Sequence, residues 1–291
     1  MQLPKGAYAP IPTPLDAELR FDAEAQRTHL CWLAGEGLDG ALVLGTNGEF
    51  PSLALAERRT VAEAAAAAGS GLALMLCTGS CALPEVLEML EVAAGCGYGS
   101  VLCPPPFYFR SAPVRGLADF LLEVLDRSRL PVLLYHIPQV NGVPISDELL
   151  ELIGEHPRLA GVKDSSESES ERLRLSGRFA DRAYLVGTDR LVEANRRAGG
   201  AGSISAAASV APGLVAAVQR GTAEQSELDR VRALLEKYGL GPSVKAILRR
   251  SGLGDYATRP PLLGLNPERE EALWEAYCAL VPVASRPVKS R

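Results

Sequence analysis

Three observations predict an α/β fold, a (β/α)8 TIM barrel with a C-terminal helical extension. Short apolar runs ending in Gly, Pro, Ser or Thr alternate with longer stretches of helical periodicity. About eight such pairs follow one another, and residues 223–291 then hold helical stretches with no strand between them. A chain of 291 residues, 47% hydrophobic and 22% charged, has material for one large core, which a barrel of about 250 residues uses as a single domain. The barrel is expected over 1–222, with 223–291 as an extension of the same domain.

The first strand candidate, Ala7–Ile11, runs into Pro10-Ile11-Pro12-Thr13-Pro14. An open doubly wound sheet would normally place a glycine-rich turn there, so the closed barrel is preferred. The remaining candidates are Ala41–Leu44, Leu72–Cys77, Ser100–Cys103, Val132–Tyr135, Ala160–Lys163, Ala183–Val186 and Ser203–Ser205. Many are continuously apolar, as parallel strands covered on both faces are. Between them, Ala54–Ala68 is an alanine-rich helix candidate with Glu57, Arg58, Arg59 and Glu63 on one side. Leu83–Ala94 carries Pro84 where a first turn tolerates it. Ala223–Tyr238, Ser243–Arg250 and Pro267–Leu280 form the extension.

The net charge of −5 is dispersed, without the basic stripe that nucleic acid or an anionic membrane requires, so small-molecule partners are expected. Pro4, Pro10, Pro12 and Pro14 interrupt the start where a signal peptide needs an apolar run, and no segment reaches a bilayer-spanning length. A cytoplasmic, unprocessed protein is expected. Six scattered cysteines without a C-x-x-C pair read as buried free thiols. Only three histidines occur (His29, His136, His156), so neither a metal site nor another cofactor is expected. Gly199-Gly200-Ala201-Gly202 has the composition of a phosphate loop but precedes its strand.

In such a barrel the active site lies at the C-terminal strand ends. Lys163 closes the sixth strand candidate after Leu159-Ala160-Gly161-Val162. The other lysines, Lys5, Lys237, Lys245 and Lys289, hold terminal or helical positions where a solvated charge is expected. Burial disfavours an ammonium, and a neutral amine attacks a ketone to give an iminium whose nitrogen is an electron sink. A lysine there can also be a structural partner of Asp164. If inward positions alternate, Tyr135 faces Lys163 and can carry its protons, or it can be a core tyrosine bonded to a carbonyl. His136 then points away from the lumen. Gly45-Thr46-Asn47-Gly48 is a tight turn whose N–H groups can converge on a carboxylate, although such turns are also ordinary loops.

Together with Pro106-Phe107-Tyr108, Tyr135-His136-Ile137-Pro138, Gly161-Val162-Lys163-Asp164 and Gly199–Ser205, the turn Gly45-Thr46-Asn47-Gly48-Glu49 carries a resemblance over nearly the whole chain. The sequence resembles the dihydrodipicolinate synthase and N-acetylneuraminate lyase superfamily of Schiff-base pyruvate aldolases. The resemblance implies Lys163 as Schiff-base lysine, Tyr135 as proton shuttle, and Thr46 as a hydroxyl linking it to Tyr108 of a neighbouring subunit. It thereby implies a homodimer, usually paired into a homotetramer. It also implies that Thr46 and Asn47 hold the keto-acid carboxylate while Gly187 and Ile204 line the pocket. Two departures matter. Val140 stands where lysine-biosynthetic synthases carry an arginine for the acceptor carboxylate, and Asn47 replaces a second hydroxyl residue.

These departures look more like the branches acting on 2-keto-3-deoxy sugar acids or 4-hydroxy-2-oxoglutarate. Ser165, Ser166, Ser205, Asp189 and Asn141 are then candidates for acceptor hydroxyls. The expected activity is a lyase that cleaves or forms such an acid from a 2-keto acid and an aldehyde. Alternatives are a dihydrodipicolinate synthase, which condenses pyruvate with aspartate semialdehyde, and a non-catalytic keto-acid sensor.

Overall fold

The computed structural model describes residues 3–282 and residue 286; Lys289 lies outside the described residues. Eight parallel strands close into a barrel in chain order: β1 (Gly6–Pro10), β2 (Gly40–Val43), β3 (Ala73–Cys77), β4 (Ser100–Cys103), β5 (Val132–His136), β6 (Leu159–Asp164), β7 (Ala183–Val186) and β8 (Gly202–Ile204). The helices are α1 (Ala23–Gly35), α2 (Leu55–Ala67), α3 (Leu83–Gly95), α4 (Val114–Arg127), α5 (Pro138–Asn141), α6 (Asp147–Ile153), α7 (Glu169–Arg178), α8 (Val192–Arg197), α9 (Pro212–Arg220), α10 (Gln225–Tyr238), α11 (Leu240–Arg250) and α12 (Pro267–Leu280). The predicted strands and helices match these to within a few residues at each end. No helix among the described residues is long and apolar enough to cross a membrane.

Every residue of β2 and of β4 through β8 is buried, because side chains fill the lumen on one face and helices cover the other. Partners across parallel strands share a face. Following Leu42↔Met75, Cys77↔Leu102, Leu102↔Leu133, Tyr135↔Lys163, Lys163↔Leu185 and Tyr8↔Ile204 around the sheet traces the lumen. The other face meets the helices: His136 lies 3.3 Å from Glu171 of α7. One irregularity sets the phase. Val132 pairs with Leu159 but Leu133 pairs with Gly161, so Ala160 is an extra residue in β6. Above it, Gly161 and Lys163 look inward with Leu133 and Tyr135.

Closure depends on glycine where β8 meets β1. Gly202 has φ +155°, and a Cβ there would stand 2.0 Å from the Gly6 carbonyl oxygen. On the outer layer, α12 buries Leu273 and Tyr277, each worth roughly 1.5–3 kcal/mol as a buried large apolar side chain. The Tyr277 hydroxyl donates to the Val210 carbonyl at 2.6 Å and so fastens the extension to the turn after β8.

His29 of α1 is fully enclosed between Trp32 and Tyr256 and donates its Nε2–H to the Ser209 carbonyl at 2.9 Å. Burial lowers its pKa to about 4, against 6.5 for a free imidazole. Between those values the unfolded chain binds a proton that the folded chain refuses, so stability falls as pH drops from 6.5 toward 4. The contribution is about 3 kcal/mol in total. Urea unfolding of the natural chain and of His29→Gln at pH 7 and pH 4.5 is expected to show a smaller loss for the variant. An equal loss in both would show that His29 is not the group responsible.

Candidate active site

Lys163 ends the apolar run of β6 at the mouth of the lumen, where it is 3% exposed. Its Nζ stands 4.2 Å from the centroid of the Tyr135 ring, its register partner on β5. The Tyr135 hydroxyl is 3.1 Å from Thr46 Oγ1 in the turn after β2. An amine, a phenol and a hydroxyl from three strand ends therefore converge. Asp164 does not pair with Lys163. Facing the helices, it accepts from the Tyr184 hydroxyl at 2.8 Å and from the Ser166 N–H at 2.9 Å. His136 also faces the helices, where its Nδ1 accepts from the Ile145 N–H at 3.2 Å. Burial lowers its pKa, with Asp164 and Glu171 opposing. In the lumen, burial pushes the Cys77 thiol up to about 11, with the Gly79 backbone and the Lys163 charge opposing, so at neutral pH it stays a poor nucleophile.

The turn that carries Thr46 is held from beneath. Thr13 Oγ1 donates to the Gly48 carbonyl at 2.7 Å, and the Glu49 N–H donates to the Thr46 carbonyl at 3.1 Å. Glu49 takes a left-handed backbone, φ 54°, which aims its carboxylate inward at Lys245 of α11, 2.7 Å away. This corrects the reading of Lys245 as a solvated helical lysine. It is 2% exposed, because α11 lays that face against the barrel, and it also donates to the Ala257 carbonyl at 2.9 Å. Arg58 departs in the same way from the charged side of its helix. It is buried and bonds the Gly79 carbonyl and Glu85. A helical charge facing a carboxylate from a distant loop leaves no local trace in sequence.

Around the convergence, Asn47 Nδ2 and Ser205 Oγ are buried without hydrogen-bond partners. Ile204 is fully buried on β8. Gly187 follows β7, and a Cβ there would fall 1.8 Å from the hydroxyl oxygen of Ser165, so its missing side chain is what admits that hydroxyl. Asp189 is buried, its carboxylate accepting from the Ala207 N–H at 3.1 Å and pairing with Arg232 of α10 at 3.2 Å. Its charge is thus spent inside the protein. Asn141 accepts from the Val143 N–H at 2.9 Å and leaves Nδ2 unpartnered. Ser166 Oγ accepts a long bond from the Ser168 N–H. Val140 is 57% exposed on α5.

Tyr108 stands apart from these groups. It is 79% exposed, its ring meets Phe109 edge-on, and its N–H points to Cys81 Sγ at 3.3 Å. Phe107 turns inward instead, edge-on to Phe50 with centroids 6.0 Å apart.

A (β/α)8 barrel with an amine and a phenol paired at its mouth is the frame of a lyase of the aldolase type. This chain belongs to the dihydrodipicolinate synthetase family, which matches residues 3–278. It is 35% identical over 292 residues to an uncharacterized DapA-like lyase of Chloroflexus aurantiacus, covering 95% of this chain and 97% of that one. It is 30% identical over 283 residues to a 4-hydroxy-tetrahydrodipicolinate synthase of Rhizobium meliloti, covering 92% and 96%. The crystal structure of dihydrodipicolinate synthase from Aquifex aeolicus superposes with a TM-score of 0.87 at 26% identity, over 98% of this chain and all of that one.

The Gly187–Ser165 contact yields a stability prediction. Gly187→Ala should lower the unfolding free energy by about 1–3 kcal/mol, the usual penalty for overpacking. Adding Ser165→Gly should restore part of it, measured by urea denaturation. If Gly187→Ala matches the natural chain, the contact is not tight.

Proposed function

We propose that this chain is a class I aldolase in which Lys163 forms a Schiff base with pyruvate or a related 2-keto acid. The observation that carries the reading is the placement of the Lys163 amine over the Tyr135 ring, with the Tyr135 hydroxyl bonded to Thr46. Nζ adds to the C2 carbonyl to give a carbinolamine, which loses water to leave an iminium. Loss of a proton from C3 gives an enamine, whose carbon forms the new bond to an aldehyde; hydrolysis then frees the product and the amine. Tyr135 carries the protons of dehydration and of the aldol hydroxyl, and Thr46 passes them on. In cleavage the same steps run in reverse.

The keto-acid carboxylate is assigned to the N–H groups of Thr46 and Asn47, with Gly187 and Ile204 against the keto acid. Ser165 and Ser205 are proposed to meet acceptor hydroxyls; the unpartnered Ser205 Oγ supports its place. The substrate class is a 2-keto-3-deoxy sugar acid or a 4-hydroxy-2-oxo acid. A second reading, 4-hydroxy-tetrahydrodipicolinate synthase, is favoured by the Rhizobium meliloti relative. Val140 opposes it, because an aliphatic side chain cannot hold an acceptor carboxylate as a guanidinium does.

Incubation with pyruvate and borohydride, followed by peptide mass spectrometry, should give one reduced adduct, on Lys163. Absence of any adduct with pyruvate, 2-oxobutanoate or longer keto acids would remove the Schiff-base reading.

The outward position of Tyr108 supports its working in a neighbouring subunit of a dimer. Tyr108→Phe and Lys163→Ala proteins, each impaired alone, should regain activity when mixed, since a hybrid dimer has one site with both residues natural. No recovery despite subunit exchange proven by native mass spectrometry would rule that out.

A further inference from the structure

Buried ion pairs that a mechanism does not use have to earn their place in some other way, and the Glu49–Lys245 pair joins the C-terminal extension to the turn after β2. Both side chains are withdrawn from water, at 2.7 Å from one another. Glu49 ends the five-residue turn that starts at Gly45, three residues beyond Thr46. Its N–H closes the turn onto the Thr46 carbonyl, and its left-handed backbone turns the carboxylate toward α11. Lys245 is fixed in turn by the Ala257 carbonyl. Nearby, Arg259 donates to the Ser52 carbonyl at 2.8 Å and also pairs with Glu57 of α2, so the segment after α11 also grips the chain that follows the turn.

We infer that Glu49 and Lys245 are positioning residues, whose ion pair holds the N–H groups of Thr46 and Asn47 in the geometry that binds the keto-acid carboxylate. Neither residue touches substrate. The inference rests on the Schiff-base reading and adds to it: the acid group is recognised by a turn whose shape is set from the C-terminal extension.

A carboxylate-free ketone separates positioning from mere stability. The test measures reductive trapping on Lys163 as a function of pyruvate and, separately, of acetone. It uses the natural chain, Lys245→Met, and the double variant Glu49→Gln/Lys245→Met, which leaves no charge buried alone. For both variants the pyruvate concentration giving half-maximal adduct should rise about tenfold or more, the scale of one lost charge-assisted hydrogen bond. The acetone dependence should stay within about twofold, well below the tenfold worth of a lost bond. Circular dichroism establishes that the chains compared are folded, and the double variant serves if Lys245→Met is not. An unshifted pyruvate dependence in the folded double variant would overturn the inference, as would an equal loss for pyruvate and acetone. No pyruvate adduct in the natural chain would overturn the Schiff-base reading itself, and this inference with it.

Discussion

One extra residue, Ala160, decides which way Lys163 looks. Side chains alternate between lumen and helix layer along every strand, so β6 must be in phase with β5 for an amine on one to meet a phenol on the other. At the base of the pair Val132 lies beside Leu159; one step up Leu133 lies beside Gly161, and from there Tyr135 reaches Lys163. Continued at the lower register, the pairing would set Lys163 beside His136, on the face turned to α7. Barrel closure at Gly6 and Gly202 then fixes every other strand relative to this pair. The lumen floor of Tyr8, Leu42, Met75 and Leu133 is the packed base on which the amine stands.

Much of this was legible in the chain. Continuous apolar runs marked the strands because both faces of a parallel sheet are covered, and their ends pointed to Thr46, Tyr135 and Lys163. Alternation within each strand was enough to pair Tyr135 with Lys163, but it could not reveal the bulge at Ala160, since a bulge is a relation between two strands. The same holds for Lys245 and Arg58. Each lies on a helix whose local pattern suits solvent, and each is buried because a distant segment supplies its partner. The sequence offers Asp189 as a candidate for acceptor hydroxyls, but its carboxylate is taken up by Arg232, 43 residues further on, which no sequence feature ties there.

The extension therefore does more than cover apolar surface. It reaches the turns after β2, β7 and β8 through Lys245, Arg232 and Tyr277. Charged partners buried this way contribute little net stability when intact. Removing one of them costs about 3–5 kcal/mol, because the other is left uncompensated. Such contacts specify an arrangement more than they strengthen it, which suits the proposed role of these loops in holding backbone N–H groups and hydroxyls in register.

The scarcity of lysine has a chemical side. Thirty basic residues include only five lysines, so the positive surface is nearly all guanidinium. A guanidinium stays protonated at any physiological pH and does not condense with carbonyl compounds as an amine does. Among the described residues, Lys163 sits in the lumen and Lys245 is sealed against Glu49, which leaves Lys5 and Lys237 as exposed amines. On the proposed mechanism, aldehydes and keto acids meet only these two exposed lysine amines among the described residues, and arginine supplies positive charge that does not imitate the proposed reactive amine of Lys163.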